Sequence, residues 1–401
     1  MKISIFTPTH DPKYLHEVYD SIYDQDFDEW VVLYNNGAEI IGFDDPRVIE
    51  IQIDEKMKGV GQCKGIACDN CTGDILVELD HDDLLTSNAI AEIRKAFENP
   101  EIGFVYSNAI IIGMNGEKQP RFLSEHGWEY RRTNFRGRLL NQPIAFEPTP
   151  ASVSRIWYAP DHVRAFRKSI YDQVGGYDPG LEVLDDQDLM CRMYQVTCFY
   201  HIDKPLYVYR VHGDNTWLNE NRKIQEGVWP LYDKYIEPMA MKWAYNNTLL
   251  RLDLGGRLNR QLEYTSVDLK DADVCTDLNE RWPFEDGSVG VVRAFDVFEH
   301  LKDPLHTMKE LQRVLAPGGY AFIQVPSTDG RGAFQDPTHV SFWNENSFLY
   351  YTDSQWAQYI DTPVRFQAMR LYTTAKNEQQ VCWTVAHLVK VTDGLPGIIN
   401  I

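Results

Sequence analysis

Short apolar runs alternate with amphipathic stretches over residues 1–110, and the same alternation starts again near residue 248. Residues 2–7, 30–34, 48–53, 75–79 and 104–112 read as strands. Between them, residues 14–23, 62–71 and 86–97 carry apolar positions at helical spacing, as Leu15, Val18 and Ile22 do. A chain patterned this way folds into mostly parallel sheets covered by helices. Its 401 residues exceed what one core usually spans, so two domains are expected.

Residues 120–165 contain Pro143, Pro148, Pro150 and Pro160 and read as a long irregular stretch. Such stretches inside compact domains are usually functional. A helix is predicted over 166–174, closed by Gly175 and Gly176, and another over 186–195. Strands are predicted over 198–202 and 206–210, and residues 218–246 read as a helical connector. Strands then return at 250–254, 263–269, 289–294 and 320–325, with a helix over 305–315 stopped by Ala316-Pro317-Gly318-Gly319. The expected division is a domain over 1–217, a connector over 218–247 and a second domain over 248–401.

The formal net charge is −20. A duplex-binding surface would have to overcome that field, so nucleic acid is not an expected partner. No apolar run reaches the length of a membrane span, and Met1–Phe6 reads as a strand rather than a secretory signal. The seven cysteines are scattered, which fits a reducing cytoplasm without a disulfide framework. Cys68 and Cys71 have no second Cys or His pair nearby and read as packing at a helix end.

Asp80-His81-Asp82-Asp83 follows the apolar run 75–79. Three carboxylates at a strand's carboxyl end repel one another unless a cation binds there, and that end of a strand is where α/β sheets hold ligands. Clustered oxygens suit Mg²⁺ or Mn²⁺ bridging to phosphates. A turn that caps the following helix would use the same residue types. A second acidic cluster, Asp185-Asp186-Gln187-Asp188, invites the same two readings, since Asp185 and Asp188 have capping-box spacing.

Six short motifs in order resemble glycosyltransferase family 2, with its GT-A fold. They are Ile3–Thr9, Gly61-Gln62-Cys63-Lys64-Gly65, Leu79–Asp83, Val174–Asp178, Leu184–Leu189 and Tyr209-Arg210-Val211-His212. The resemblance covers roughly residues 1–217. It implies that Asp80 and Asp82 hold a divalent cation and the donor ribose, with His212 completing the metal shell. It implies that Asp186, with Asp185 before it, is the base that takes the acceptor's proton, and one base without a second nucleophile implies inversion. Thr7, Pro8 and Thr9 would line the base and ribose. Asn35 and Asn36 stand where the family carries an Asp that contacts uracil, and Lys64 stands where a nucleotide-contacting Arg is common. Arg131, Arg132, Arg136 and Arg138 concentrate positive charge that suits a phosphate or an anionic acceptor. Trp128, Trp157 and Tyr158 suit stacking on a sugar, or core packing.

Leu252–Arg257, Val267-Asp268, Thr276-Asp277-Leu278, Trp282–Ser288, Phe298-Glu299-His300-Leu301, Arg313–Gly319 and Asp336–Val340 resemble class I S-adenosylmethionine-dependent methyltransferases. This resemblance covers about residues 248–350. It implies an S-adenosylmethionine site using Asp253, Gly255, Gly256, Asp268 and Asp277. The usual Gly-x-Gly loop is replaced by Gly255-Gly256-Arg257.

The expected protein is α/β: a GT-A, Rossmann-like mixed-sheet domain followed by a smaller Rossmann-like methyltransferase-type domain. Its expected activity is transfer of a hexose, glucose or a related sugar, from a UDP-sugar to a glycan or other hydroxyl acceptor, with Mn²⁺ or Mg²⁺. Two alternatives stand beside it. A nucleotidyltransferase would release pyrophosphate, and a non-catalytic carbohydrate-binding or assembly protein would turn over no donor.

Overall fold

The computed structural model describes residues 1–53, 59–113, 127–156, 158–213 and 215–391. Trp157 lies outside the described residues. The chain divides into two compact units. The first comprises residues 1–113, 128–148 and 156–235, and the second residues 127, 149–155 and 236–391. The helix Asn221–Asn246 runs across the division, where the sequence predicts a connector.

Among the described residues the first unit is built on ten strands: β1 (Ile3–Thr9), β2 (Glu29–Tyr34), β3 (Val48–Gln52), β4 (Ile75–Glu78), β5 (Leu84–Leu85), β6 (Ile102–Gly113), β7 (Tyr130–Phe135), β8 (Arg138–Pro143), β9 (Arg164–Arg167) and β10 (Cys198–Val211). Eight form one sheet in the order β3-β2-β1-β4-β9-β6-β10-β5. β1 pairs in parallel with both β2 and β4, while β9 is antiparallel to both β4 and β6. Both faces are buried, which explains the unbroken apolar runs. Ile3, Ile5, Trp30 and Val32 pack with Leu15, Val18 and Ile22 of one helix and Ile90 and Ile93 of another. On the other face Phe6, Val31 and Leu33 pack with Cys63, Ala67 and Cys68 of the helix Val60–Asp69 and with Leu189 and Met193 of the helix Asp185–Tyr194.

Three local expectations are corrected. Phe166 belongs to strand β9, and the helix begins only at Lys168, because the Arg164–Arg167 segment fills the gap between β4 and β6. The strands expected at 198–202 and 206–210 are one strand, β10, interrupted by register shifts around Pro205. The irregular stretch contains a two-stranded hairpin, β7–β8, and a short helix, Pro150–Val153.

Among the described residues the second unit has seven strands: β11 (Leu250–Leu254), β12 (Thr265–Asp268), β13 (Val274–Cys275), β14 (Val289–Phe295), β15 (Leu315–Pro326), β16 (Phe366–Thr373) and β17 (Trp383–Lys390). Their order is β13-β12-β11-β14-β15-β17-β16, parallel through β15, with β17 antiparallel to both its neighbours. The helix Pro304–Val314 buries Met308, Leu311 and Val314 against this sheet. Asp303 caps that helix by accepting from the backbone N–H groups of Leu305 and His306. Among the described residues no helix is long and apolar enough to cross a membrane.

Candidate functional site

The chain leaves β1 for β2 on one side and later returns to β4 on the other, which places a crevice at the carboxyl ends of these strands. Asp80 lies just beyond β4 and Thr9 ends β1. The Asp80–Asp83 cluster is not a helix cap. The short strand β5 follows it and pairs with β10, and the next helix starts only at Ala89, after Asn88.

Asp82 and His212 meet directly, Oδ2 to Nε2 at 2.6 Å. The pairing of β10 beside β5 brings them together across 130 positions of sequence. Asp83 fastens this arrangement: its Oδ1 accepts from the Arg210 backbone N–H at 2.7 Å. Arg210 also donates from Nε to the Asp82 carbonyl and from Nη2 to Glu17. His212's backbone N–H donates to Asn215 Oδ1 at 2.6 Å, which sets the turn after the strand. His81 packs edge-on against His10.

Beneath Asp80 lies a network that local sequence did not reveal. Glu78, in β4, is buried and accepts from Lys64 Nζ at 2.5 Å. Lys64 also stands 3.7 Å from Asp185 Oδ2. Arg164, in β9, lies 3.8 Å from Glu78 and donates to Asp186 Oδ2. His162 lies 3.9 Å from Glu78 and 3.8 Å from Asp80. Glu78 thus reaches Asp185 and Asp186 through Lys64 and Arg164, and Asp80 through His162. Arg164 carries no local sequence signal, since Arg164-Ala165-Phe166-Arg167 lacks the alternation of a strand.

The electrostatics follow from burial and charge. Burial, aided by Glu78 and Asp82, pushes Asp80 up despite Lys64 and His162. Burial, then Asp82 and Asp80, pushes Asp83 further up. Burial also opposes ionisation of Glu78, but Lys64, His162 and Arg164 outweigh it and hold that carboxyl well below its usual range. Against burial and Arg164, the contacts with Asp161 and Glu78 raise His162 to about 9. Burial, with Asp186 and Glu78 nearby, lifts Asp185 to about 6 against the pull of Lys64. Burial works against Asp186 too, yet Arg164 and Lys64 hold it low.

The second cluster opens the helix Asp185–Tyr194, whose N-cap is Leu184 without a side-chain cap. The capping-box reading is therefore corrected. Asp188 instead accepts from Arg192 at 2.5 Å and from the Tyr235 hydroxyl at 2.5 Å. Gly61 belongs where it is because a Cβ there would lie 2.5 Å from the Asp185 Cβ.

The remaining expected donor residues are spread along the same strand ends. Thr7, Pro8 and Thr9 are buried. The Thr7 hydroxyl donates to the Leu79 carbonyl and accepts from Trp30 Nε1, inside the sheet. Asn35 follows β2 and donates to Cys63 Sγ, while its Oδ1 is buried with no partner among the described residues. Asn36, with φ 52°, and Gly37, with φ 85°, form an exposed left-handed turn. Lys64 lies in a buried ion pair rather than on a solvated helix face. Arg131 pairs with Asp203 at 2.6 Å, and Arg136 stacks on Phe135 at the tip of the hairpin. Trp128 packs on Phe146 and Tyr158.

Asp82 and His212 are in direct contact, while Asp80 forms with Glu78 and His162 a separate group whose ligand atoms lie within 4.8 Å of one another.

The expected cofactor residues of the second unit are arranged differently. Asp253 is buried and paired with Arg293 at 2.9 Å, leaving Oδ2 unpartnered among the described residues. Gly255 has φ 73°, and a Cβ there would lie 2.1 Å from Val297 Cγ2. Gly256 is similarly closed in by Asp253. Asp268 accepts from its neighbour's backbone N–H, and exposed Asp277 accepts from Asn279. Residues 255–264, between β11 and β12, contain no helix. Arg257 pairs with Asp271.

Comparison with known proteins accords with the two-part organisation. Residues 4–174 match the family described as glycosyl transferase family 2, and residues 246–368 match one described as methyltransferase domain. A protein of Haemophilus influenzae called an uncharacterized glycosyltransferase is 26% identical over 159 residues. That match takes in 38% of this chain and 47% of the relative, so the chain spans about half of the relative's length. Among solved structures, residues 1–349 of S. aureus TarS align at 18% identity and TM-score 0.41, covering 66% of this chain and 76% of that one. A mannosyltransferase from Pyrobaculum calidifontis, solved with GDP-Man and Mn²⁺, aligns at 17% identity and TM-score 0.39, covering 60% and 69%. The chain is thus similar to glycosyl transferase family 2 over residues 4–174 and to a methyltransferase domain over residues 246–368.

Proposed function

We propose that the first unit is a metal-dependent, inverting glycosyltransferase that moves a hexose, glucose or a related sugar, from a UDP-sugar to a hydroxyl acceptor. The observation that carries this reading is the link through Glu78. Lys64 and Arg164 both contact it and reach Asp185 and Asp186 in turn, and His162 contacts both it and Asp80, which supports reading the two acidic clusters as one site.

In this reading Asp82 and His212, with Asp80, hold Mn²⁺ or Mg²⁺, which when bound neutralises charge developing on the departing diphosphate. Asn35 supports a uracil donor, since its unpartnered Oδ1 suits the base's N3–H. Asp186 takes the acceptor's proton as the acceptor oxygen attacks C1 and the bond from C1 to the diphosphate breaks. One displacement at C1 inverts the anomeric centre. Arg164 keeps Asp186 ionised and oriented, and Asp185 stays closed in beneath it against Lys64.

The test is nucleotide release by the full chain with a panel of UDP-sugars, with Mn²⁺, Mg²⁺ or chelator present. The reading expects UDP as product, dependence on the ion, and loss of turnover in Asp82→Ala and Asp186→Asn. Full activity in both variants overturns the site assignment. Pyrophosphate as product would make the protein a nucleotidyltransferase, and no turnover or binding of any donor would leave a carbohydrate-binding protein.

A further inference from the structure

The second unit holds a group of side chains that no part of the glycosyltransferase reading uses. Beyond β14 the chain makes a short turn, Phe298–His300, and beyond β15 the segment 336–341 runs beside it. The Glu299 carbonyl joins the two by accepting from the backbone N–H groups of Val340 at 2.8 Å and Ser341 at 3.0 Å. The Glu299 side chain is 2% exposed, and neither carboxylate oxygen has a hydrogen-bond partner among the described residues. A buried carboxylate left this way is disfavoured in its ionised form unless a cation satisfies it.

Two histidines face it. His339 Nδ1 lies 3.0 Å from the Ala333 carbonyl, so that nitrogen carries the proton and donates. Its Nε2 keeps a lone pair and stands 3.9 Å from Glu299 Oε1 and 4.0 Å from Asp336 Oδ2. His300 Nδ1 lies 3.2 Å from the Thr338 carbonyl, which fixes the same tautomer. The Thr338 hydroxyl does not compete as a donor, because it donates to Asp336 Oδ1 at 2.7 Å. Histidines that ligate metals through Nε2 are oriented by this kind of Nδ1–H to carbonyl bond. One donor atom from each of Glu299, His300 and His339 lies within 4.8 Å of the others.

We propose that Glu299, His300 and His339 form a site for a divalent first-row transition-metal ion in the second unit. Two imidazoles and one carboxylate favour such an ion over Mg²⁺ or Ca²⁺ and leave coordination positions open for oxygen ligands. Ligand atoms around such an ion stand roughly 3 Å apart at metal–ligand distances of about 2.1 Å, so the three side chains need only a small inward movement. Asp296 and Asp336 add negative charge close by. The ion would satisfy the buried Glu299 oxygens and clasp the turn after β14 to the segment after β15. Its open positions lie at the carboxyl ends of parallel strands, where such sheets take small ligands.

The test uses the full chain, stripped with chelator and carrying Asp80→Asn, Asp82→Asn and His212→Ala to silence the first unit's own metal set. Co²⁺ is titrated in, with visible absorption and calorimetry as readouts. The expected result is stoichiometric binding with ligand-field bands characteristic of nitrogen ligation. Affinity should fall at least tenfold on adding His300→Ala or His339→Ala. Glu299→Gln, which keeps the side chain's shape, should weaken binding while the chelated protein melts no lower than its parent. Absence of stoichiometric Co²⁺ binding overturns the proposal, and so does binding that Glu299→Gln and His339→Ala leave unchanged.

Discussion

Asp82 Oδ2 and His212 Nε2 lie 2.6 Å apart, at the ends of segments that meet because β5 and β10 pair. Neither side chain is fully closed off, at 15% and 12% exposure. A donor–acceptor contact between two metal-ligand types can open to admit a cation. Asp82→Asn or His212→Ala should therefore weaken Mn²⁺ affinity roughly 10–100-fold. Thermal shift with Mn²⁺ and a UDP-sugar together would read this, because ligand stabilisation scales with occupancy of the folded state.

Asp186 receives Arg164's guanidinium, which holds its carboxyl below the ordinary 3.8 although burial pushes the other way. A base with a depressed pKa stays ionised as pH falls, so the acid limb of kcat should lie below that value. Arg164→Met removes the charge and should move the limb upward, while Arg164→Lys should restore most of the shift. Asp186→Asn should lower kcat by roughly 10²–10⁴-fold with little change in donor KM. A pH–rate profile for each variant checks the assignment.

Much of this was readable before the structure, for a physical reason. Strands buried on both faces, such as β1 and β4, are unbroken apolar runs, and strand-end carboxylates stand out against them. Asp80 and Asp82 were legible in that way, and Asp186 as part of an acidic run opening a helix. Glu78, Arg164 and His162 were not, since each matters through partners far away in sequence. Glu78 read as one polar residue in an apolar strand, and only the insertion of antiparallel β9 beside β4 brings Arg164 to it. The hairpin β7–β8 was equally hidden, because Tyr130–Phe135 is largely polar and pairs only with its neighbour.

Lys64 and Glu78 form a buried ion pair, with side chains 7% and 1% exposed. Removing one partner leaves the other charge uncompensated, so Lys64→Met should destabilise the first unit by about 3–5 kcal/mol. Glu78→Gln alone should also be costly. The double variant should cost clearly less than the sum, since the second change relieves the first. Denaturant unfolding of the four proteins would read the coupling directly.

His387 gives the second unit a pH dependence of its own. It sits on β17, paired across from Arg370 and edge-on to Phe322. Burial, with Arg370 adding to it, lowers its pKa from 6.5 to about 4. Above 6.5 the imidazole is neutral both folded and unfolded, and the stability is fully present. As pH falls, the unfolded chain gains a proton that the folded unit refuses. Stability should therefore decline between about 6.5 and 4 and level off below. The full difference amounts to about 3 kcal/mol. His387→Gln should flatten that part of the curve relative to the parent. Unfolding free energies measured across the interval would show it, and a parent and variant that decline in parallel would remove His387 as the cause.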